Sequence, residues 1–293
     1  MNWCKDLGKR CKRGEPLKRH TTFKIGGPAR FFIEPRDKNQ LEELLCLCNR
    51  KKLPVRILGM GSNVLVRDKG FDGAVVYLSS PEFKKIIFGS NYVIAGSGVS
   101  LARLLQGCYQ KGFCGLEFLT GIPGTVGGAL VMNAGIKEKC VADSLDSVTI
   151  MDRKGSIKTL DCKDARFSYR SSCLKKYVVL AGRFRVHKRP RRLIRKAMDE
   201  LRTWRYENQD YSFPSAGCVF KNPVNDSAGR LIDACGLKGV KIGGAAVSLR
   251  HANFIVNRGR ATAADVLALI SLVKARVKRR FGVALTPEIE IWK

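Results

Sequence analysis

The chain has 293 residues, with 54 Lys and Arg against 25 Asp and Glu for a formal net charge of +29, and 45% of its residues are hydrophobic. That length accommodates two or three compact units, each with its own core, and no apolar run approaches the ~20 residues that a membrane helix needs. The opening Met1-Asn-Trp-Cys-Lys-Asp6 lacks the apolar stretch of an export signal. The 11 cysteines form no Cys-x-x-Cys pair and no repeating framework, which points to reduced, mostly buried thiols in a cytoplasmic chain and argues against zinc.

In chain order, residues 1–20 are polar and basic and read as a loose arm or a peripheral helix. Alternation over 22–35, around Gly26-Gly27-Pro28, predicts two short strands. Asp37 is a helix cap with Gln40 as its return partner, and Leu41, Leu44, Leu45 and Cys48 recur at helical spacing until Leu53-Pro54. A strand from Val55, a turn at Gly59-Met-Gly-Ser-Asn63 and a strand through Val66 follow, then a strand at 74–78. A second unit begins near 83, with a strand at 92–95. Ser100 caps a helix that buries Leu101, Leu104, Leu105 and Cys108 and stops at Gly112. Residues 147–160 read as a hairpin turning at 152–155, 167–171 as a turn and 177–181 as a strand.

A basic helical link covers 188–210. Ser227 caps 228–235, Gly236 stops that helix, and 247–257 holds two strand candidates. Thr262, with Asp265 three residues on, caps a long helix that buries Val266, Ile270, Val273 and Val277. Lys278-Arg-Arg280 at its end suits the negative pole of the helix dipole. Residues 285–292 close the chain as a strand.

The stretch from Gly115 to Gly135 organises the rest, with glycines at 121, 124, 127 and 128 around Pro123 and the apolar Ala129-Leu-Val-Met132 after them. Glycines let backbone approach a ligand closely. A turn that feeds a helix directs N–H groups at a phosphate or pyrophosphate. On spacing alone, a tight turn with a buried small-residue helix explains the pattern equally well. Gly59-x-Gly61 and Gly96-Ser-Gly98 are further turns of this kind, but Val64 and Leu101 stand where a dinucleotide fingerprint needs its last glycine.

Six pieces in a fixed order then carry a resemblance: His20-Thr-Thr-Phe-Lys-Ile-Gly-Gly-Pro-Ala29, Gly59-Met-Gly-Ser-Asn63, the 121–135 stretch, Tyr169-Arg-Ser171, Pro214-Ser-Ala-Gly-Cys-Val-Phe-Lys-Asn-Pro223 and Pro287-Glu-Ile289. The chain resembles the UDP-N-acetylenolpyruvoylglucosamine reductases, in the shorter form of that family. The resemblance implies an α+β protein whose two-subdomain FAD-binding fold, of the vanillyl-alcohol-oxidase type, spans 21–82 and 83–188. A C-terminal α+β substrate domain would span 189–293. It also implies noncovalent FAD, NADPH as reductant, and a UDP-sugar enolpyruvyl ether as substrate. FAD would be held by Ile25, Gly26, Gly27, Gly59, Gly61, Ser62, Asn63, Gly121, Ile122, Pro123, Gly124, Thr125, Gly127 and Gly128, with its pyrophosphate against both glycine turns.

By the same resemblance, Arg170 holds the substrate carboxylate, Glu288 orients or polarises it, and Tyr169, Lys221 and Asn222 contact substrate. Cys218 takes the position of the proton donor, where most members carry serine. A free thiol (pKa ~8.5) is far more acidic than an aliphatic hydroxyl, so the role remains chemically open to it. No metal is expected. Two other functions compete: an oxidase on the same flavin fold, or a basic nucleic-acid-binding protein. Basic residues do cluster at 5–19, 183–202 and 274–280, but at element ends and without interleaved aromatics. They therefore read as a surface that draws in phosphate-bearing ligands or as a general compositional bias, with a monomer and no nucleic-acid partner expected.

Overall fold

The structure is a computed structural model that describes residues 10–293; the first nine residues of the predicted arm lie outside the described residues. Contacts divide the chain into two compact units. Unit 1 comprises Met1–Lys12, Phe31–Met60 and Gly73–Arg205, and unit 2 comprises Arg13–Arg30, Gly61–Asp72 and Tyr206–Lys293.

Unit 1 holds residues 11–12, 31–33, 55–58 and 73–77 of one sheet and the whole of a second. The first runs in the order Cys11–Pro16, Pro28–Ile33, Phe71–Tyr77, Val55–Leu58, the last two strands being parallel. Helix α1 (Lys38–Arg50) is capped as expected, its Asp37 carboxylate accepting from the Gln40 N–H at 2.9 Å. Its Leu41, Leu44, Leu45 and Cys48 join Phe31, Ile33, Ala74 and Val76 in one apolar cluster. The second sheet is antiparallel, in the order Ile157–Asp161, Leu145–Met151, Val178–Arg185, Tyr92–Gly96, Ile86–Phe88. Helix α2 (Leu101–Lys111) is capped by Ser100 and ends at Gly112, φ +66°. It shares a core with α3 (Val126–Met132), α4 (Val141–Ser144) and the inner face of that sheet. Helix α5 (Arg191–Asn208) sends Ile194 and Met198 into the same core.

Unit 2 carries an antiparallel sheet in the order Ser215–Cys218, Phe254–Asn257, Ala245–Val247, Lys241–Ile242. Helices α6 (Ala228–Ala234) and α7 (Ala263–Phe281) share its core with Phe23, Ile25 and Leu65. The final strand, Glu290–Trp292, lies parallel to Val64–Val66. No described helix is long and apolar enough to cross a membrane.

Several expectations are corrected. The described part of the arm is not loose: Cys11–Pro16 is a sheet strand, and Leu17–Arg19 is a turn of 3-10 helix that buries Leu17. Only Pro28–Ile33 forms a strand within 22–35, because Thr21 and Thr22 turn their hydroxyls onto the carbonyls of Ile25 and Ser215. The terminal strand shrinks to Glu290–Trp292. Nine described cysteines are free, and only Cys48, Cys108 and Cys114 among them are buried; the other six sit on turns, helix ends or partly exposed faces, and Cys11 is disulfide-bonded. Burial pushes the Cys48 thiol up to about 11 and the Cys108 thiol up to about 12, so neither is a nucleophile near neutral pH.

Candidate active site

In unit 1 the two glycine turns meet. A Cβ on Gly59 would lie 2.7 Å from Thr125 Oγ1, so only glycine allows the end of the Val55–Leu58 strand to come this close. Thr125 caps α3 by accepting from the Gly128 N–H at 3.3 Å. The Val126 and Gly127 amides donate to the carbonyls of Val99 and Ser97 at 2.8 and 2.9 Å. The first amides of α3 are therefore spent inside the protein, contrary to the expectation that they stay open to a ligand. Among the described residues, the N–H groups of the turn left without an acceptor are those of Gly121, Gly124 and Thr125. Ser97, whose carbonyl accepts from Gly127, and Thr120, which precedes the turn, have hydroxyls buried without a hydrogen-bond partner, each residue 4% exposed. Buried hydroxyls without partners are rare and call for an explanation. Together these unspent donors and the Cβ-free approach at Gly59 fit a polar, phosphate-bearing cofactor such as FAD. Gly121 takes φ +77°, and a Cβ there would meet Arg205 at 2.6 Å; Ile122 packs on the core and Pro123 is exposed.

The tail of the same stretch positions Arg170. Ser168 and Ser171 exchange both backbone hydrogen bonds, leaving Tyr169 and Arg170 at the tip of a two-residue hairpin, with Arg170 at φ +53°. Asn133, in the left-handed cap of α3, donates to the Ser168 carbonyl at 3.1 Å. Ser172 donates to the Val131 carbonyl at 2.8 Å, and Arg170 donates to the Gly135 carbonyl at 3.2 Å. The guanidinium lies 5.4 Å from the centre of the exposed Tyr169 ring.

In unit 2, Cys218 ends the strand Ser215–Cys218, where Gly217 at φ +73° breaks the register against Phe254–Asn257. The thiol is half-buried. Asn253 fixes the residues just after it: Asn253 is 2% exposed, accepts from the Phe220 N–H at 2.9 Å and donates to the Phe220 carbonyl at 2.8 Å. Its own carbonyl accepts from the Val219 N–H at 2.8 Å. The Val219 carbonyl in turn accepts from the Glu288 N–H at 2.7 Å, and Lys221 donates its N–H to Thr286 at 2.9 Å. Cys218, Lys221 and Glu288 are thus carried on two segments stitched backbone to backbone. Asn63 joins them, donating to the Glu288 carbonyl at 3.3 Å and accepting from the Glu290 N–H at 2.9 Å. Exposed Asn222 accepts from the Ala228 N–H at 3.0 Å, which ties it to the start of α6.

Ile25, Gly26, Gly27 and Gly61 have structural reasons of their own. Ile25 belongs to the unit 2 core. A Cβ on Gly27 would sit 2.1 Å from the Asp68 carbonyl, and one on Gly61 would sit 2.2 Å from the His20 carbonyl. Ser62 is half-buried beside them. Sequence reasoning missed Ser97, Thr120 and Asn253. Ser97 was visible inside Gly96-Ser-Gly98, and Asn253 as the one polar residue in the run Ala252–Val256, written 252–256 in the sequence Ala-Asn-Phe-Ile-Val. Among the described residues, no three His, Cys, Asp or Glu side chains gather as metal ligands would.

The sequence profile of the "FAD binding domain" matches residues 29–161, and that of the "UDP-N-acetylenolpyruvoylglucosamine reductase, C-terminal domain" matches residues 209–292. UDP-N-acetylenolpyruvoylglucosamine reductase 2 of Symbiobacterium thermophilum is 44% identical over 285 residues, covering 97% of this chain and 92% of the relative. The enzyme of Moorella thermoacetica is 43% identical over 279 residues, 95% of this chain and 92% of its own length. The chain belongs to the UDP-N-acetylenolpyruvoylglucosamine reductase family. The crystal structure of the reductase from Thermus caldophilus superposes with a TM-score of 0.83 at 37% identity, covering 97% of this chain and 98% of that one. The family's α+β architecture, an FAD-binding domain followed by a C-terminal domain, is the one present here.

Proposed function

We propose that the protein reduces UDP-N-acetylglucosamine enolpyruvate to UDP-N-acetylmuramate with NADPH and noncovalent FAD, as a cytoplasmic monomer. Family membership over nearly the whole chain is the observation that carries this reading. Residues 21–82 and 83–188 serve the cofactor in it, and 189–293 the substrate. In the cofactor cradle, the Gly121, Gly124 and Thr125 amides and the Ser97 and Thr120 hydroxyls are the unspent donors. Gly59 and Gly121 to Gly128 keep the approach open, with Gly26, Gly27, Gly61, Ser62 and Asn63 supporting it. FAD held there would supply hydride to the substrate double bond, with NADPH as the reductant.

Hydride arriving at one alkene carbon leaves an electron pair on the other, spread into the adjoining carboxylate. Arg170 offers that carboxylate a fixed cation, because its hairpin is pinned to α3 on both sides. Glu288 orients the same group, and Tyr169, Lys221 and Asn222 contact the remainder of the substrate. Cys218 Sγ gives up its proton to the carbanionic carbon as the C–H bond forms, and the thiolate is then reprotonated from solvent. The purified protein should carry a flavin spectrum that NADPH bleaches. The flavin should enter the supernatant on acid precipitation; flavin retained in the pellet would indicate the covalent attachment of the competing oxidase reading.

A further inference from the structure

We propose that unit 2 carries a second ligand site, built from none of the residues assigned to the reaction, that takes a small phosphate monoester with an apolar or aromatic body. The site is a cavity of about 420 Å³ lined by Phe213, Ala246, Val256, Lys241, Arg250 and Arg258, a size within the ~300–1,000 Å³ of small-molecule pockets. Its floor is apolar: Ala246 and Val256 face each other across neighbouring strands and are 3% and 2% exposed.

The wall at 210–213 is preformed. The Asp210 carboxylate accepts from Ser248 Oγ at 2.6 Å and from the Ser212 N–H at 2.9 Å, and the residue is 8% exposed. Burial works to raise this carboxyl, yet the bonds from Ser248 and Ser212 and the charge of Arg250 hold it below the usual range. Asp210 is therefore a fixed anion facing Arg250, whose Nε is itself committed to the Glu207 carbonyl at 3.1 Å.

Two cations remain. Lys241 and Arg258 are exposed at the cavity, and among the described residues neither side chain has an acceptor. The Arg258 guanidinium lies 4.3 Å from the centre of the Phe213 ring. Stacking occupies its face and leaves its N–H edge for a bidentate oxyanion. Three cations less one carboxylate leave two positive charges, matching the ≈ −1.5 to −2 of a phosphate monoester near neutral pH. Unpaired cations alone would mean little on a chain of +29; these two differ in flanking an enclosed apolar floor, which a bare inorganic anion would leave wet.

The ester is a free phosphorylated small molecule, because both phosphates of a UDP-sugar are esterified and neither is a monoester. Isothermal titration of the FAD-loaded protein with phenyl phosphate, at physiological salt, tests the site. One equivalent should bind, at least tenfold tighter than inorganic phosphate. Lys241→Ala combined with Arg258→Ala should weaken phenyl phosphate at least tenfold without changing the flavin spectrum or the melting temperature. Ala246→Leu, which fills the floor and leaves the charges in place, should do the same, while Lys274→Ala with Lys278→Ala should have no effect. The KM for the UDP-sugar should be unchanged in the Lys241/Arg258 variant, and a raised KM would overturn a site separate from the reaction. Wild-type binding in that variant, or phenyl phosphate binding no tighter than inorganic phosphate, overturns the proposal.

Discussion

One buried side chain, Asn253, and one glycine, Gly59, hold the backbone at the proposed donor and cofactor positions. Asn253 satisfies both backbone groups of Phe220. Asn253→Ala leaves two buried polar groups unpaired at ~1–3 kcal/mol each, so urea unfolding should show a loss of about 2–6 kcal/mol. Asn253→Asp should also destabilise, because it keeps the acceptor and replaces the donor with an oxygen facing the Phe220 carbonyl. Gly59→Val tests the cradle: its Cβ would displace the Thr125 hydroxyl that caps α3. The variant should purify folded and colourless, and full flavin content would show that the two turns do not hold the cofactor. At this scale the motif proposes position 218 as the proton donor, whereas Asn253 stayed hidden because its partners lie 33 residues away. Side-chain-to-backbone bonds of that span leave no local periodicity.

The helices were the most legible elements, since capping is local chemistry. Asp37, Ser100, Ser227 and Thr262 each accept from the amide three residues on. The start of α7 holds more than its capping box: Asp68, distant in sequence, accepts from the Ala263 and Ala264 amides at 2.8 and 3.0 Å. Asp68→Ala should cost about 1–2 kcal/mol, as loss of a cap does, measurable as a lowered urea midpoint. Asp265 supplies a pH dependence. Its bond from the Thr262 N–H, followed by the bond from the Gly244 N–H, holds its carboxyl below the usual range, although burial opposes this. A depressed folded pKa gives stability that is fully present above the unfolded value of ~3.9 and is lost as pH falls through the folded one. Melting temperature should therefore fall steeply below about pH 4, and less steeply in Asp265→Asn. The strands were harder to read. Cys11–Pro16 is a basic stretch whose exposed side chains hide its pairing, and Lys241–Ile242 is too short to show alternation.

For the whole molecule, the division into units was the least legible feature, because unit 2 takes 13–30 and 61–72 from the N-terminal half of the chain. Hydrophobic periodicity identifies which face of an element is buried, not which core receives it. The charge of +29 acts at this scale too. Attraction of phosphate-bearing substrates is screened within a Debye length of ~8 Å at physiological salt, so rising salt should slow NADPH and UDP-sugar association and leave the chemical step unchanged. Nucleic acid that bound tightly at physiological salt and competed with catalysis would contradict that view.

A flavin-dependent reductase with a thiol proton donor has two separable half-reactions, and anaerobic stopped-flow tests both. NADPH should bleach wild type and Cys218→Ala at the same rate, since that hydride transfer needs no donor at 218. Mixing with the enolpyruvyl substrate should restore flavin absorbance rapidly in wild type, ~10²–10⁴-fold more slowly in Cys218→Ala, and near the wild-type rate in Cys218→Ser. A wild-type protein whose colour the substrate does not restore would contradict the assigned reaction, and a Cys218→Ala variant restored at the wild-type rate would contradict the role of the thiol.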